Sequence, residues 1–161
     1  MKIGVVADTH SHPLPKEMLE RFKEVDFIIH AGDFCAVETL EELKKIKEVK
    51  AVYGNMDDEA IRKIFPRKQI VAVKGLALGI FHGEGPAQAV LQRVRKEFQH
   101  EKVDIVIFGH SHNPFSEKIE NVLYFNPGSP NDPIYAPYCS FGIVEINDEG
   151  TNSRIVKIGR S

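Results

Sequence analysis

Cysteine is scarce in this chain, with two residues among 161. Cys35 and Cys139 lie far apart and outside any CxxC pattern, which argues against a structural disulfide and against a metal site built from several thiolates. We expect Cys35 to be a small buried filler. No apolar run approaches the ~20 residues that span a bilayer, and the N-terminus lacks the basic-then-apolar layout of a signal peptide. The default expectation is a cytoplasmic protein without a membrane partner.

An excess of positive charge is also missing, since 21 Lys and Arg stand against 23 Asp and Glu, for a net charge of -2. A dedicated nucleic-acid binder would carry a clustered basic face. The nearest such cluster, Arg93, Arg95 and Lys96, reads as the solvated side of a helix. Hydrophobic residues make up 42% and charged residues 27%, which is typical of a globular protein with a core. We expect one domain over residues 1–161 without a dedicated nucleic-acid surface.

Short apolar runs, many of them β-branched, recur along the chain, and a polar loop follows each run at once. Continuous apolar runs of this length suit strands that are buried on both faces. The predicted strands are residues 3–7, 25–29, 51–53, 76–81, 105–108 and 122–125.

Helical periodicity separates several of these strands. The predicted helices are residues 14–25 and 37–49, a short one that Asp57 or Asp58 caps and Pro66 ends, and residues 86–98. Alternating strands and helices predict right-handed βαβ crossovers in the front of the chain. Residues 70–73 with 76–81, and residues 141–146 with 155–158, instead predict antiparallel hairpins. The expected result is two packed sheets flanked by helices.

Five of the predicted strands are followed by side chains that can bind a metal through nitrogen or oxygen, namely carboxylates, a carboxamide and imidazoles. These residues are Asp8, His10, Asp33, Asn55, His82, His110 and His112. Ligands of α/β proteins bind beyond the carboxyl ends of the strands, so the five loops can converge. Two carboxylates and four imidazoles at one end of the strands would be electrostatically unfavourable without a divalent cation. Such a cation keeps imidazole neutral and carboxylate ionised. Seven groups exceed the about four to six ligands of one ion and suit two.

Two ions ~3.5–4 Å apart usually share a bridging carboxylate. Asp33 suits this role because it stands alone on its loop after Gly32, which permits close approach of the backbone. No Ser or Cys occupies a nucleophile-elbow context that would favour a hydrolytic triad instead. The alternative is that polar residues merely collect at strand ends, but loops select Gly, Asp, Asn and Ser rather than an excess of histidine. His30 lies inside an apolar strand, so we expect a hydrogen-bonded core residue there.

In this ordered set of motifs the chain resembles the calcineurin-like metallophosphoesterases, specifically their short bacterial and archaeal phosphodiesterase branch. The motifs are Asp8-Thr9-His10, Gly32-Asp33, Gly54-Asn55, His82, Gly109-His110-Ser111-His112 and Asn126-Pro127-Gly128-Ser129. Each motif alone is weak, whereas their order over nearly the whole chain is specific. The resemblance implies a four-layer α/β/β/α sandwich of two mixed sheets flanked by helices.

The resemblance also implies two divalent transition-metal ions per chain and a partition of their ligands. One ion takes Asp8, His10, Asp33 and His112, and the other takes Asp33, Asn55, His82 and His110. A hydroxide between the ions would attack phosphorus in line, since metal binding lowers the pKa of water from ~15.7 toward ~7. Nitrogen and oxygen ligands of this mix accept manganese, nickel, iron, cobalt or zinc.

Two departures from the larger phosphatases of this superfamily stand out. Those enzymes carry a histidine directly after the asparagine, where this chain has Met56, which cannot donate a proton. They also carry an arginine that grips phosphate soon after the motif aspartate, where this chain has Phe34-Cys35-Ala36-Val37. Both differences argue against a protein Ser/Thr phosphatase. The proton donor for the leaving group stays open, with His12 and Asp57 as candidates.

The expected function is hydrolysis of phosphodiester bonds in small substrates, a cyclic nucleotide being one example. The alternatives are a phosphomonoesterase, a nuclease on long DNA or RNA, and a non-catalytic scaffold or interaction module. The retromer subunit, a eukaryotic relative of this fold, is such a scaffold and has lost part of the ligand set, whereas this chain retains every ligand. The charge balance speaks against the nuclease. The sequence leaves open whether the chain forms a homo-oligomer.

Overall fold

Ten strands and four α-helices occur in the computed structural model, which describes residues 1–159. The strands are β1 (Lys2–Val6), β2 (Phe27–His30), β3 (Val49–Ala51), β4 (Lys68–Val73), β5 (Leu76–Phe81), β6 (Ile105–Ile107), β7 (Phe115–Ile119), β8 (Val122–Asn126), β9 (Ser140–Asn147) and β10 (Gly150–Lys157). The helices are α1 (Lys16–Phe22), α2 (Val37–Lys44), α3 (Glu59–Ile64) and α4 (Val90–Glu97), the last preceded by a 3-10 turn at Ala87–Ala89.

The strands form two mixed sheets of five. The first sheet has the order β10-β9-β1-β2-β3, and the second has the order β4-β5-β6-β8-β7. In the first sheet β1, β2 and β3 are parallel, with α1 and α2 in the two connections, as the alternating pattern predicts. In the second sheet β5, β6 and β8 are parallel, and β4 and β7 run antiparallel at the edges.

Three apolar clusters lie between the layers and pack them together. The central cluster lies between the two sheets and joins residues such as Val5 of β1 to Ile80 of β5. A second cluster packs α1, α2 and α3 on the outer face of the first sheet, with Phe22 fully buried. A third packs α4 on the second sheet through Val94. Strand side chains alternate between the two faces, so each sheet contributes to two clusters. The predicted α/β/β/α sandwich is confirmed.

Both predicted hairpins are present. In the first, Val73 pairs with Leu76 across Lys74 and Gly75. Lys74 and Gly75 have φ of 53° and 80°. A two-residue hairpin turn of type I′ requires positive φ at both of these positions. In the second, β9 pairs with β10 from Asn147↔Gly150 onward, so the final strand begins five residues earlier than residue 155.

The bounds of several elements differ from the prediction. Helix α1 ends at Phe22 instead of residue 25, because the next three amides bond three residues back and form tighter turns. Strand β3 occupies 49–51 instead of 51–53, because the Tyr53 amide turns away to the carbonyl of Pro66. Asp58 is the cap of α3, and its side chain accepts from the Ile61 amide. The sequence reading missed β7, a largely exposed edge strand without an apolar run.

The helices within residues 1–159 are all too short or too polar to cross a bilayer.

Candidate metal centre

The loops that follow five strands meet at one end of the two sheets. The Asp8 amide bonds the Gly32 carbonyl at 3.0 Å, which joins the loops after β1 and β2. The Gly109 amide bonds the His82 carbonyl at 2.9 Å, which joins the loops after β5 and β6. Across the two sheets, the His110 amide donates to Asp8 Oδ2 at 2.9 Å. These bonds join four of the five loops, and the contact of Asn55 Oδ1 with His110 Nδ1 at 3.1 Å adds the fifth.

The Asp8 carboxylate lies at the middle of this region and is fully buried. Its Oδ1 atom lies 3.6 Å from His10 Nε2 and 3.5 Å from His112 Nε2. The same oxygen lies 3.7 Å from His82 Nε2. The Nε2 atoms of His10 and His112 are themselves only 3.2 Å apart. Imidazole nitrogens therefore converge on one carboxylate oxygen from three loops.

Asp33 lies between the two halves of the cluster. Its Oδ2 atom is 3.2 Å from His82 Nε2 and 3.5 Å from His10 Nε2. Its other oxygen accepts the Met56 amide at 2.8 Å, which holds the carboxylate in place. One oxygen of Asp33 thus faces imidazoles on both sides.

Two groups of side chains could each hold a metal ion. The first is Asp8, His10 and His112, and the second is Asp33, His82 and His110; within each group the ligand atoms lie within 4.8 Å of one another. Asn55 Oδ1 lies 3.1 Å from His110 Nδ1, beside the second group. His110 Nε2 lies 2.8 Å from the carbonyl of Gly85.

Two buried polar atoms of the cluster have no hydrogen-bond partner, namely Asp8 Oδ1 and His82 Nε2. His82 Nδ1 donates to the Ala31 carbonyl at 2.7 Å, so Nε2 is the ring nitrogen that faces the carboxylates. A buried unpaired polar atom costs about 1–3 kcal/mol. A divalent cation satisfies a carboxylate oxygen and an imidazole lone pair together. The side chains present therefore fit a metal ion.

The charges of this cluster are strongly coupled. The Asp8 carboxylate raises the pKa of His10 to about 10. Burial opposes the charging of His82 and His112, yet Asp8 raises the pKa of each to about 9. Burial likewise opposes ionisation of Asp8, but these imidazoles hold its pKa well below the usual range. The carboxylates thus favour protonated imidazoles, and binding of a divalent ion would compete with those protons.

Left-handed backbone conformations are concentrated in these loops. Five of the seven predicted ligands have positive φ, namely Asp8 (57°), His10 (45°), Asp33 (62°), His110 (73°) and His112 (59°). Residues other than glycine adopt this region in only a few per cent of cases. Each such residue stores about 1 kcal/mol or more, and such residues cluster at functional sites.

Two glycines allow the loops to approach each other. A Cβ at Gly54 would lie 2.1 Å from Asp33 Oδ1, and a Cβ at Gly32, whose φ is 100°, would lie 2.7 Å from His82 Nδ1. Any side chain at either position would displace a member of the cluster.

The two candidate proton donors occupy different surroundings. Asp57 is buried, and its oxygens accept the amides of Asp33 and Gly54 at 2.8 Å each and of Cys35 at 2.9 Å. Burial raises the pKa of Asp57 against the effect of these amides. The carboxylate thus holds the loops after β2 and β3 together. His12 is exposed, and its carbonyl accepts from the Asn131 side chain at 3.3 Å.

Other residues surround the cluster. His30 is buried and bonds the Gly32 amide at 3.1 Å and Thr9 Oγ1 at 3.2 Å, which confirms its core role. Cys35 is half-buried, so the expected buried filler is wrong; its Sγ lies 3.4 Å from His10 Nδ1.

The turn 126–129 supports the loops. Asn126 Nδ2 donates to the Gly109 carbonyl at 3.2 Å, and Ser129 Oγ donates to the Asp8 carbonyl at 2.8 Å. The sequence reading missed Asp132, whose carboxylate lies 2.5 Å from His112 Nδ1. Asn131-Asp132-Pro133 has the composition of an ordinary turn, and no pattern in the sequence distinguishes it.

Comparison with known proteins agrees with this geometry. The family described as the calcineurin-like phosphoesterase superfamily domain matches residues 1–149. A probable metallophosphoesterase of Methanocaldococcus jannaschii is 38% identical over 141 residues, which cover 83% of this chain and 70% of that protein. A phosphodiesterase of the same organism is 33% identical over 141 residues, or 80% of this chain and 83% of that one.

Solved structures share the fold. A structure titled as a novel archaeal phosphodiesterase has a TM-score of 0.78 at 27% identity, over 97% of this chain and 100% of that one. Wild-type Vps29 of Entamoeba histolytica, complexed with zinc, has a TM-score of 0.75 at 23% identity, over 98% and 99%, and shows the fold alone. The chain belongs to the calcineurin-like phosphoesterase superfamily, in its short bacterial and archaeal branch.

Proposed function

We propose that this protein is a dinuclear metal-dependent phosphodiesterase that acts on small substrates. The observation that carries the proposal is the pair of three-residue groups around Asp8 and Asp33, in which two buried ligand atoms lack a hydrogen-bond partner. Family membership supports hydrolysis of phosphoesters, and the relative named a phosphodiesterase supports the diester class.

The proposed ligands are the seven expected from the sequence. One ion takes Asp8, His10, Asp33 and His112, and the other takes Asp33, Asn55, His82 and His110. Asp33 is proposed as the shared ligand because its Oδ2 lies within 3.5 Å of an imidazole from each set. The ions accepted by such ligands are manganese, nickel, iron, cobalt and zinc.

Bound divalent ions would supply a nucleophilic hydroxide near neutral pH and neutralise the phosphate oxygens. The chain's own residues have three tasks. The Met56 amide and the Ala31 carbonyl orient Asp33 and His82. The buried ends of the strands exclude water from the side of the cluster that faces the core. The third task, protonation of the leaving group, stays open between His12, which is exposed, and Asp57, whose two oxygens bind backbone amides.

The test loads the purified protein with manganese or nickel, measures the number of bound ions, and assays bis(p-nitrophenyl) phosphate against p-nitrophenyl phosphate. We expect two ions and faster turnover of the diester, with loss of turnover in Asp33→Asn. Faster turnover of the monoester would favour the phosphomonoesterase. Two bound ions without turnover with either metal would contradict the enzyme and favour the scaffold.

Because Met56 cannot supply a proton, esters with good leaving groups should react faster than those with poor ones. We expect aryl diesters to exceed matched alkyl diesters by about 100-fold or more, the usual contribution of a general acid. The measurement is kcat/KM for a leaving-group series, with His12→Gln as the comparison. Equal rates for aryl and alkyl diesters would show that another residue donates the proton.

The cytoplasmic location and the single domain over 1–161 stay predictions.

A further inference from the structure

Asp132 lies in the segment between β8 and β9, away from every strand end that contributes a proposed ligand. It is a nearly buried carboxylate, 9% exposed. Its Oδ2 atom lies 2.5 Å from His112 Nδ1. A buried carboxylate at this distance from an imidazole nitrogen forms a charge-assisted hydrogen bond.

The backbone holds this carboxylate in place. Asp132 Oδ1 accepts the amides of Ile134 at 2.8 Å and Tyr135 at 3.0 Å. Oδ2 accepts the Ala136 amide at 3.1 Å. Three backbone amides and the imidazole thus surround the carboxylate, whose two oxygens act as acceptors.

The bond determines which nitrogen of His112 is free. A carboxylate can only accept, so His112 Nδ1 carries the proton of this bond. The Nε2 atom is then the one left to bind a cation, and it lies 3.5 Å from Asp8 Oδ1 and 3.2 Å from His10 Nε2. His82 uses the same arrangement with a backbone carbonyl as the acceptor. His112 depends instead on a side chain from a distant turn.

We propose that Asp132 is a positioning residue of the metal centre, which fixes the Nδ1–H form of His112 and ties that ligand to the turn of residues 132–136. The ion beside Asp8, His10 and His112 binds tightly only while this turn is formed. The same turn carries two large apolar side chains that are mostly exposed, Ile134 (76%) and Tyr135 (80%). The inference rests on the proposed metal binding.

The decisive experiment titrates metal-free Asp132→Ala and Asp132→Asn with zinc alone, and measures the affinity and number of bound ions by calorimetry. We expect one of the two ions to bind 10- to 100-fold more weakly, as for other acceptors behind a ligating histidine, and the other ion to keep its affinity. Asp104→Ala is the matched control, because Asp104 Oδ2 also accepts a backbone amide, that of Ala77 at 2.8 Å, but contacts no imidazole in the described chain. It should bind both ions as the wild type does.

A second measurement does not depend on the stability of the variants. Nitrogen-15 spectra of the histidine rings in zinc-loaded wild type should show His112 protonated at Nδ1 and free of a proton at Nε2. A proton on Nε2, or folded Asp132 variants that bind both ions with wild-type affinity, would overturn the proposal. Two bound ions without turnover would contradict the proposed enzyme but leave this result intact, whereas a wild type that binds no zinc would contradict both.

Discussion

Asp33 and His112 are predicted to differ in how many ions each affects. Asp33 Oδ2 faces imidazoles of both groups, whereas His112 belongs to one group. We expect Asp33→Asn to weaken both ions and His112→Ala to weaken one, with at least a tenfold loss of affinity in each case. Metal analysis after gel filtration measures the number of ions that each variant retains per chain. Equal loss of both ions in His112→Ala would contradict the partition.

His30 should give the protein a distinct dependence of stability on pH. Burial lowers the pKa of its imidazole from 6.5 to about 3, so below pH 6.5 the unfolded chain binds a proton that the folded chain refuses. Stability should therefore fall as the pH drops from 6.5 toward 3, by about 1.4 kcal/mol per pH unit. Urea denaturation of metal-free protein between pH 6.5 and 5 measures this slope.

The comparison variant is His30→Gln, which should be less stable at pH 7 and should lack most of that slope. The other buried imidazoles do not contribute in this window. The raised pKa values of His10, His82 and His112 add stability that is complete below pH 6.5 and lost as the pH rises toward 9 or 10. A variant with the wild-type slope would rule out His30 as its source.

At the scale of the elements, the loops after β2 and β3 are held together by Asp57 and by the absence of a side chain at Gly54. Gly54→Ala places a methyl group 2.1 Å from Asp33 Oδ1, so the loop or the carboxylate must move. We expect ion affinity to fall at least tenfold, because ligand geometry tolerates little displacement. Calorimetric titration with zinc measures the change.

Gly75→Ala is the matched control for this variant. Gly75 has a φ of 80°, and a Cβ there would meet nothing within 4 Å. The Gly75→Ala variant should lose about 1 kcal/mol of folding free energy through backbone strain. Its zinc binding should be unchanged. Retention of normal ion affinity in Gly54→Ala would show that the contact between these loops does not determine ligand geometry.

For the whole molecule, the cluster joins the two sheets, since its proposed ligands follow β1, β2 and β3 of one and β5 and β6 of the other. Removal of the ions should therefore lower the Tm. An ion at 100 times its Kd adds about 2.7 kcal/mol, which corresponds to roughly 5–11 °C for a domain of this size. Thermal unfolding with and without a chelator checks the shift.

The shift should be larger at pH 8 than at pH 6, because the imidazoles must lose their protons to bind the ion. Asp33→Asn should show a smaller shift than the wild type at both pH values. An unchanged Tm after chelation would mean that the folded cluster holds no stabilising ion.

Much of the fold was accessible from the sequence because its signals are local. Continuous apolar runs marked β1, β2, β5, β6 and β8, and the two-residue spacing at Lys74 and Gly75 marked a hairpin. The edge strand β7 gave no such signal, since only its end residues Phe115 and Ile119 are partly buried and the three residues between them are exposed. Element ends moved by up to five residues, because turn hydrogen bonds and not periodicity decide them.

The sequence by itself determined which residues meet, because parallel strands deliver their carboxyl-terminal loops to one edge and the histidines stand directly after those strands. Only the tertiary structure decided how they are held. The bond of Asp132 to His112 and the bonds from the Asp33 and Cys35 amides to Asp57 join segments 20 or more residues apart in the chain. Such contacts depend on the paths of irregular loops, and those paths follow from the packing of the two sheets and leave no periodic trace in the sequence.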